Sequence, residues 1–201
     1  MGITEVTVAV TEITRKEIKE LLAARRRRRD AHKGDFGRVL IAAGSFGMAG
    51  AAVLCARAAL RTGSGLVTVS IDEALWPIVQ TAVPEATCVS RAELAPLRYD
   101  AVAIGPGLGT DAAAIAALAT VLEGFSGPLV LDADALNILA RVRSHVPLTN
   151  AVLTPHAGEA ARLLAGAGDG GRWRSAADVQ ADREGAIAAL AEKYGAAATV
   201  L

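Results

Sequence analysis

From residue 39 onward, short apolar runs alternate with stretches whose apolar residues recur at helical spacing. Val39–Ala43 reads as a strand, and Ala49–Thr62 as a helix stopped by Gly63-Ser64-Gly65. Leu66–Ser70, with β-branched side chains at Val67, Thr68 and Val69, predicts a second strand. Ala101–Ile104 predicts a third, ending at GPGLGTD, where Thr110 is placed to cap a helix over 111–122. Pro128–Leu131 leads into DADALN, and Ala151–Leu153 into TPHAGE and a short helix. Ser175 and Asp178 open a helix carrying Val179, Arg183, Ile187, Leu190 and Tyr194 at helical spacing; Gly195 ends it, and Ala196–Leu201 starts a last strand. Ahead of this series, Thr14 and Glu17 form a capping-box pattern that starts a separate helix. Such alternation predicts an α/β domain with a mostly parallel sheet covered on both faces.

Composition narrows the class. The 201 residues have room for one sizeable domain, and 52% hydrophobic residues suffice to fill its core. Lys and Arg balance Asp and Glu at 21 each, so no general attraction to nucleic acid or an anionic membrane is expected. The local exception is five consecutive arginines, Arg25 to Arg29, which read as a solvated helix end. Cys55 and Cys88 lie far apart without metal spacing, and the N-terminus lacks the basic-then-apolar pattern of a signal peptide. No uninterrupted apolar run reaches membrane-spanning length. The expected location is the cytoplasm, with neither a membrane nor a nucleic acid as partner.

The chemistry concentrates at strand ends. In open parallel sheets ligands collect beyond the carboxyl ends of the strands, and four such ends here carry unusual sequence: GSFGMAG, GPGLG, DADALN and TPHAGE. Gly44, Gly47 and Gly50 are spaced three apart after a strand, close to the dinucleotide fingerprint but not its common GxGxxG form. Asp72 and Glu73, ending the next strand, are acids able to hold ribose hydroxyls. A hydride-transferring dehydrogenase would use these features, yet it leaves DADALN and TPHAGE without a role. In TPHAGE, His156 projects at the mouth of the sheet and Glu159 falls in the first helical turn. With Asp132 and Asp134, Glu159 would make an acidic mouth suited to a hydrated metal ion that bridges nucleotide phosphates.

Taken in series, HKGDFGRVLIAAGSFGMAGAA (32–52), ALRTGSGLVTVS (59–70), PEA (84–86), AIGPGLG (103–109), LVLDADALNIL (129–139) and LTPHAGEAARLL (153–164) resemble the ADP- or ATP-dependent NAD(P)H-hydrate dehydratases of the ribokinase-like superfamily. The resemblance implies a ribokinase-like three-layer αβα sandwich over 32–201, preceded by a helical segment over 1–31. It implies a repair reaction in which ADP or ATP, with Mg²⁺, activates the ring hydroxyl of hydrated NADH or NADPH for elimination. It places Ala51, Gly107, Gly109 and His156 against the hydrated cofactor. Gly47, Gly50, Asp132, Asp134, Asn137 and Glu159 fall in the nucleotide and phosphate neighbourhood, with Glu159 on the metal. It further implies a homo-oligomer, a tetramer.

The family pattern runs beyond AAATVL (196–201), into a nucleotide loop and a glycine-rich segment that supplies an anion hole and a general-base Asp. The expectation is a chain that lacks the C-terminal part of the domain, inactive alone, with no catalytic residue of its own. GAGD at 166–169 is out of order for that segment and reads as a surface loop. Two other functions stay open: a ribokinase-like kinase of a small hydroxylated metabolite, and a non-catalytic dinucleotide-binding fragment.

Overall fold

The computed structural model describes residues 13–24, 30–142, 147–165 and 171–201. The arginine run at 25–29 and the GAGD stretch lie outside the described residues. Seven strands form one sheet: β1 (Arg38–Ala42), β2 (Leu66–Ser70), β3 (Thr87–Val89), β4 (Ala101–Ile104), β5 (Leu129–Leu131), β6 (Ala151–Leu153) and β7 (Ala198–Thr199). Their order is β3-β2-β1-β4-β5-β6-β7, and all six pairings are parallel. The chain therefore winds outward from β1 in one direction and then, from β4, in the other. Right-handed crossovers consequently put the two sets of helices on opposite faces.

Helix α1 (Arg15–Ala24) starts at the expected capping box, with Thr14 N–H donating to Glu17 Oε2 at 2.7 Å. Helices α2 (Ala49–Arg61) and α3 (Trp76–Ala82) cover Ile41, Ala43, Val67 and Val69 on one face. On the other face lie α4 (Ala112–Gly124), α5 (Asp134–Val142), α6 (Ala157–Leu164), α7 (Ala176–Ala181) and α8 (Arg183–Tyr194). They bury Leu40, Val102, Ile104, Leu129, Leu131 and Leu153 in the larger core. The layers are helix, parallel sheet, helix.

Two details depart from the sequence-based expectation. Asp111, not Thr110, caps α4: its carboxylate accepts the Ala114 N–H at 2.8 Å, while the Thr110 carbonyl accepts from Arg141 Nη1 at 3.0 Å. A carboxylate one residue further on reaches the first free amides better than the hydroxyl does, and its charge favours the positive end of the helix. The single helix expected from Ser175 to Tyr194 is divided at Asp182, which leaves the helical region at φ −146°, ψ 73° and caps α8 by accepting the Gly185 N–H at 2.9 Å. The apolar spacing continues through the break, so periodicity does not reveal it.

One row of the sheet changes environment along its length. In register, Ile41 lies beside Ala103, then Val130, Val152 and Ala198. Ile41 is sealed beneath α2, but Val130 is 38% exposed. The alternate residues Leu129, Leu131, Ala151 and Leu153 are buried on the opposite face.

Candidate active site

The direction of winding reverses between β1 and β4, and it is there that the two glycine loops meet. Gly44 N–H donates to the Pro106 carbonyl at 2.8 Å, and Gly105 N–H donates to the Ala42 carbonyl at 3.0 Å. The GSFGMAG and GPGLG loops are thereby pinned across the crevice where open α/β sheets bind ligands. Gly107 has φ +61°, and a Cβ there would stand 2.9 Å from Ala51 Cβ and 3.0 Å from Met48 Cβ. Larger side chains at Gly107 or Ala51 would close the crevice. A Cβ at Gly47, Gly50 or Gly109 would meet nothing within 4 Å, so backbone is open to a ligand at all three.

DADALN works by holding this loop. Asp134 Oδ2 accepts the Gly109 N–H at 2.9 Å, and Asn137 Nδ2 donates to Asp134 Oδ1 at 3.3 Å. Arg162 Nε, from α6, then donates to Asn137 Oδ1 at 3.0 Å. A continuous chain thus runs from GPGLG through α5 to the helix that follows TPHAGE. Asp132 turns its Oδ1 onto the Ala133 N–H at 2.8 Å, stabilising a left-handed alanine at φ +48°. Its carbonyl lies 1.8 Å from where a Cβ of Gly105 would be, which makes Gly105 a steric requirement of the β4–β5 contact.

At the end of β6, His156 is the N-cap of α6. Its Nδ1 accepts the Gly158 N–H at 3.0 Å, and its Nε2 faces Glu159 Oε1 at 3.2 Å. Glu159 returns the contact by accepting the His156 N–H on Oε2 at 2.9 Å. Glu159 is only 5% exposed, whereas His156 is exposed. Both Glu159 oxygens are therefore engaged in the helix start. Among the described residues no group of three or more His, Cys, Asp or Glu side chains could hold a metal ion. Asp132, Asp134 and Glu159 do not gather into the expected acidic mouth: their carboxylates accept instead from the Ala133, Gly109 and His156 amides. A cavity of about 260 Å³ opens beside His156, bordered by Ala157, Gln180, Arg183 and Leu201.

Sequence reasoning passed over a larger feature. A cleft of about 780 Å³ extends outward from Ser45 and Phe46 of the first glycine loop, lined by Asp72, Glu73, Ser90 and Arg91 and closed by α4 from Asp111 to Thr120. Arg91 donates to the Gly44 carbonyl through Nη2. Burial pulls its guanidinium below the ordinary value, while Asp111 and Asp72 push it back up. Asp72 and Glu73 are where the ribose-binding acids were expected, but Asp72 also caps a short 3-10 turn by accepting the Ala74 N–H at 2.9 Å. Arg91 follows a strand of three residues, β3, too short for alternation to mark, whereas Phe46, Asp72 and Glu73 lie in stretches the sequence already singles out.

A parallel sheet wound both ways from β1, with glycine loops crossing its reversal point and a His–Glu helix start at the end of β6, defines a ribokinase-like α/β protein. A ribokinase-like superfamily protein from Enterococcus faecalis superposes with a TM-score of 0.71 at 28% identity, covering 89% of this chain and 62% of that one. Residues 39–201 match the NAD(P)H-hydrate dehydratase family model. The chain belongs to that family. It is 46% identical over 174 residues to the bifunctional NAD(P)H-hydrate repair enzyme of Coxiella burnetii, covering 84% of this chain and 33% of the relative. It is 40% identical over 177 residues to the ADP-dependent (S)-NAD(P)H-hydrate dehydratase of Neisseria meningitidis, covering 85% of this chain and 57% of the relative. The ADP/ATP-dependent NAD(P)H-hydrate dehydratase of Bacillus subtilis, co-crystallised with ATP and Mg²⁺, matches with a TM-score of 0.70 at 30% identity, covering 89% and 63%. The chain thus spans between a third and two thirds of the length of these relatives. Among the described residues no helix is long and apolar enough to cross a membrane.

Proposed function

We propose that the protein carrying this chain dehydrates hydrated NADH or NADPH back to the reduced cofactor, in a reaction that consumes ADP or ATP. The observation that carries this reading is the contact of Gly107 with Ala51 and Met48 across the β1–β4 crevice. It draws the two glycine loops together, beside the open backbone of Gly47, Gly50 and Gly109 that a hydrated nicotinamide ring could approach. The nucleotide supplies the phosphoryl group that turns the ring hydroxyl into a leaving group. The chain's own residues bind and orient. Gly47, Gly50 and Gly109 allow close backbone approach, and the Asp134–Asn137–Arg162 chain fixes the GPGLG loop. His156 offers an exposed ring held by Glu159 at the mouth of β6. Arg183, beside His156, adds a cation suited to nucleotide phosphates.

The finer parts of the reading are Mg²⁺ accompanying the nucleotide, a homotetramer, and a cytoplasmic setting. The complete gene product should restore nicotinamide absorbance from hydrated NADH only when ADP or ATP is added with Mg²⁺. Recovery without nucleotide, or hydride exchange with an alcohol or hydroxy acid, would replace this reading with the dehydrogenase alternative.

A further inference from the structure

We infer that two copies of this chain associate by exchanging α1, each helix laying Ile18 and Leu21 into the apolar groove between α4 and α5 of the other copy. The inference does not depend on the proposed reaction; of that reading it takes up only the self-association, to which it gives a surface. α1 has ten residues, and its described side chains are all exposed, Ile18 at 45% and Leu21 at 68%. An isolated helix shorter than about 12–15 residues is marginal in water, and in proteins such a helix is held by packing its apolar side. Here that side is open.

The groove is the matching feature. Between α4 and α5 lies an opening of about 190 Å³, floored by the buried Leu118, Ile138 and Leu139 and bordered by Ile115, Leu122 and Val142. Val142 is 51% exposed. A groove of this kind takes the apolar face of another helix through anchors three or four residues apart, the spacing of Ile18 and Leu21. Lengths agree as well. α1 is about 15 Å long, and the groove follows α4 from Ile115 to Glu123 for about 12 Å.

Charge selects the occupant. On α1, Glu17 is tied to the Thr14 cap and Lys16 pairs with Glu20. Arg15 and Lys19, four residues apart, run along one edge of the Ile18–Leu21 stripe and have no ion pair among the described residues. The charged residue lining the groove is Glu123, likewise without an ion pair among the described residues. Connectivity brings the two surfaces to one edge of the sheet. α1 leads into the 3-10 turn Lys33–Phe36, and the Phe36 and Gly37 carbonyls accept from the Gly65 and Leu66 amides where β2 begins. α4 and α5 leave the carboxyl ends of their strands and return to that same edge, with Glu123 and Val142 in their last turns. α1 leaves the groove of its own chain unfilled, so the helix that fills it comes from a second copy. In a two-fold pair the contact is made twice.

Sedimentation velocity of the chain should show a concentration-dependent dimer. Leu21→Glu and Val142→Glu, both at exposed positions, should each weaken it about tenfold or more while the thermal midpoint holds. A Leu21→Cys chain mixed with a Val142→Cys chain and treated with a flexible bismaleimide should give a covalent dimer. Peptide mass spectrometry should place the bridge between positions 21 and 142, apart from any at Cys55 or Cys88. A monomer at every concentration would overturn the exchange. So would a Leu21→Glu chain that dimerises like the parent, which would place association on the open sheet face, or a bridge that forms only when both cysteines are on one chain. Repair of hydrated NADH is read separately by nicotinamide absorbance, so failure of either reading leaves the other standing.

Discussion

His156 and Tyr194 show how a single side chain can carry two separable jobs or one hidden cost. The His156 ring caps α6 and also presents itself at the mouth of β6. His156→Ala should cost about 1 kcal/mol of stability through the lost cap, and should weaken binding of the hydrated cofactor by a similar amount. His156→Asn should restore the cap but not the binding, and thermal melts paired with titrations separate the two. Affinity unchanged in both variants would reduce His156 to a capping residue. Tyr194 is 2% exposed, and its hydroxyl donates to the Leu163 carbonyl at 3.3 Å. Burial pushes the phenol up from 10.0 to about 12. Above pH 10 the unfolded chain gives up this proton and the folded chain keeps it, so folding stability is intact below that pH and falls as pH rises towards 12. The loss amounts to about 2–3 kcal/mol. Denaturant melts from pH 9 to pH 12 should show it for the parent, and Tyr194→Phe should flatten that part of the profile.

Among the elements, the β4–α4 loop is fixed from a distance. Its Gly109 amide is held by Asp134 at the start of α5, which is steadied in turn by Asn137 and, beyond it, by Arg162 of α6. Asp134→Ala should remove about 1 kcal/mol or slightly more and free the loop without disturbing the sheet. Hydrogen exchange is the measurement: the Gly109 amide should exchange about tenfold faster while the β4 and β5 amides keep their protection. Exchange at Gly109 no faster than in the parent would show that the loop is held by its backbone bonds alone. The strands themselves were legible in sequence because they are apolar runs at a parallel-sheet rhythm; β2, β4 and β6 have the expected limits. β3 and α3 were not, because three strand residues give no periodicity and the 7 residues of α3 make fewer than two helical turns.

On the scale of the molecule, the sheet is covered unevenly. The row from Ile41 to Ala198 passes from a sealed core to an open apolar surface at Val130, on the same face as α2. Apolar sheet surface left in water binds hydrophobic probes and promotes association. The chain should therefore enhance the fluorescence of a naphthalene-sulfonate dye, and Val130→Thr should lower that signal while shifting the thermal midpoint by no more than about 2 °C. An unaltered dye signal in the variant would place the binding surface elsewhere.

The sequence by itself determined the class of the fold, the order of its motifs and the family, because apolar rhythm and residues such as those of GSFGMAG, GPGLG, DADALN and TPHAGE are local properties of the chain. Its resemblance to the family implies, as an expectation, that Gly107, Ala51, His156 and Glu159 share one site. Only the tertiary structure decided what those residues do. Asp134 and Asn137 brace a loop because folding brings Gly109 to one side of them and Arg162 to the other. Glu159 is committed to its helix start because burial leaves the carboxylate the His156 amide and ring as partners. Arg91 reaches Gly44 across 47 residues of sequence because β2 and β3 pair in parallel beside β1. No spacing along the chain encodes that contact, since it depends on how far each crossover carries the next strand.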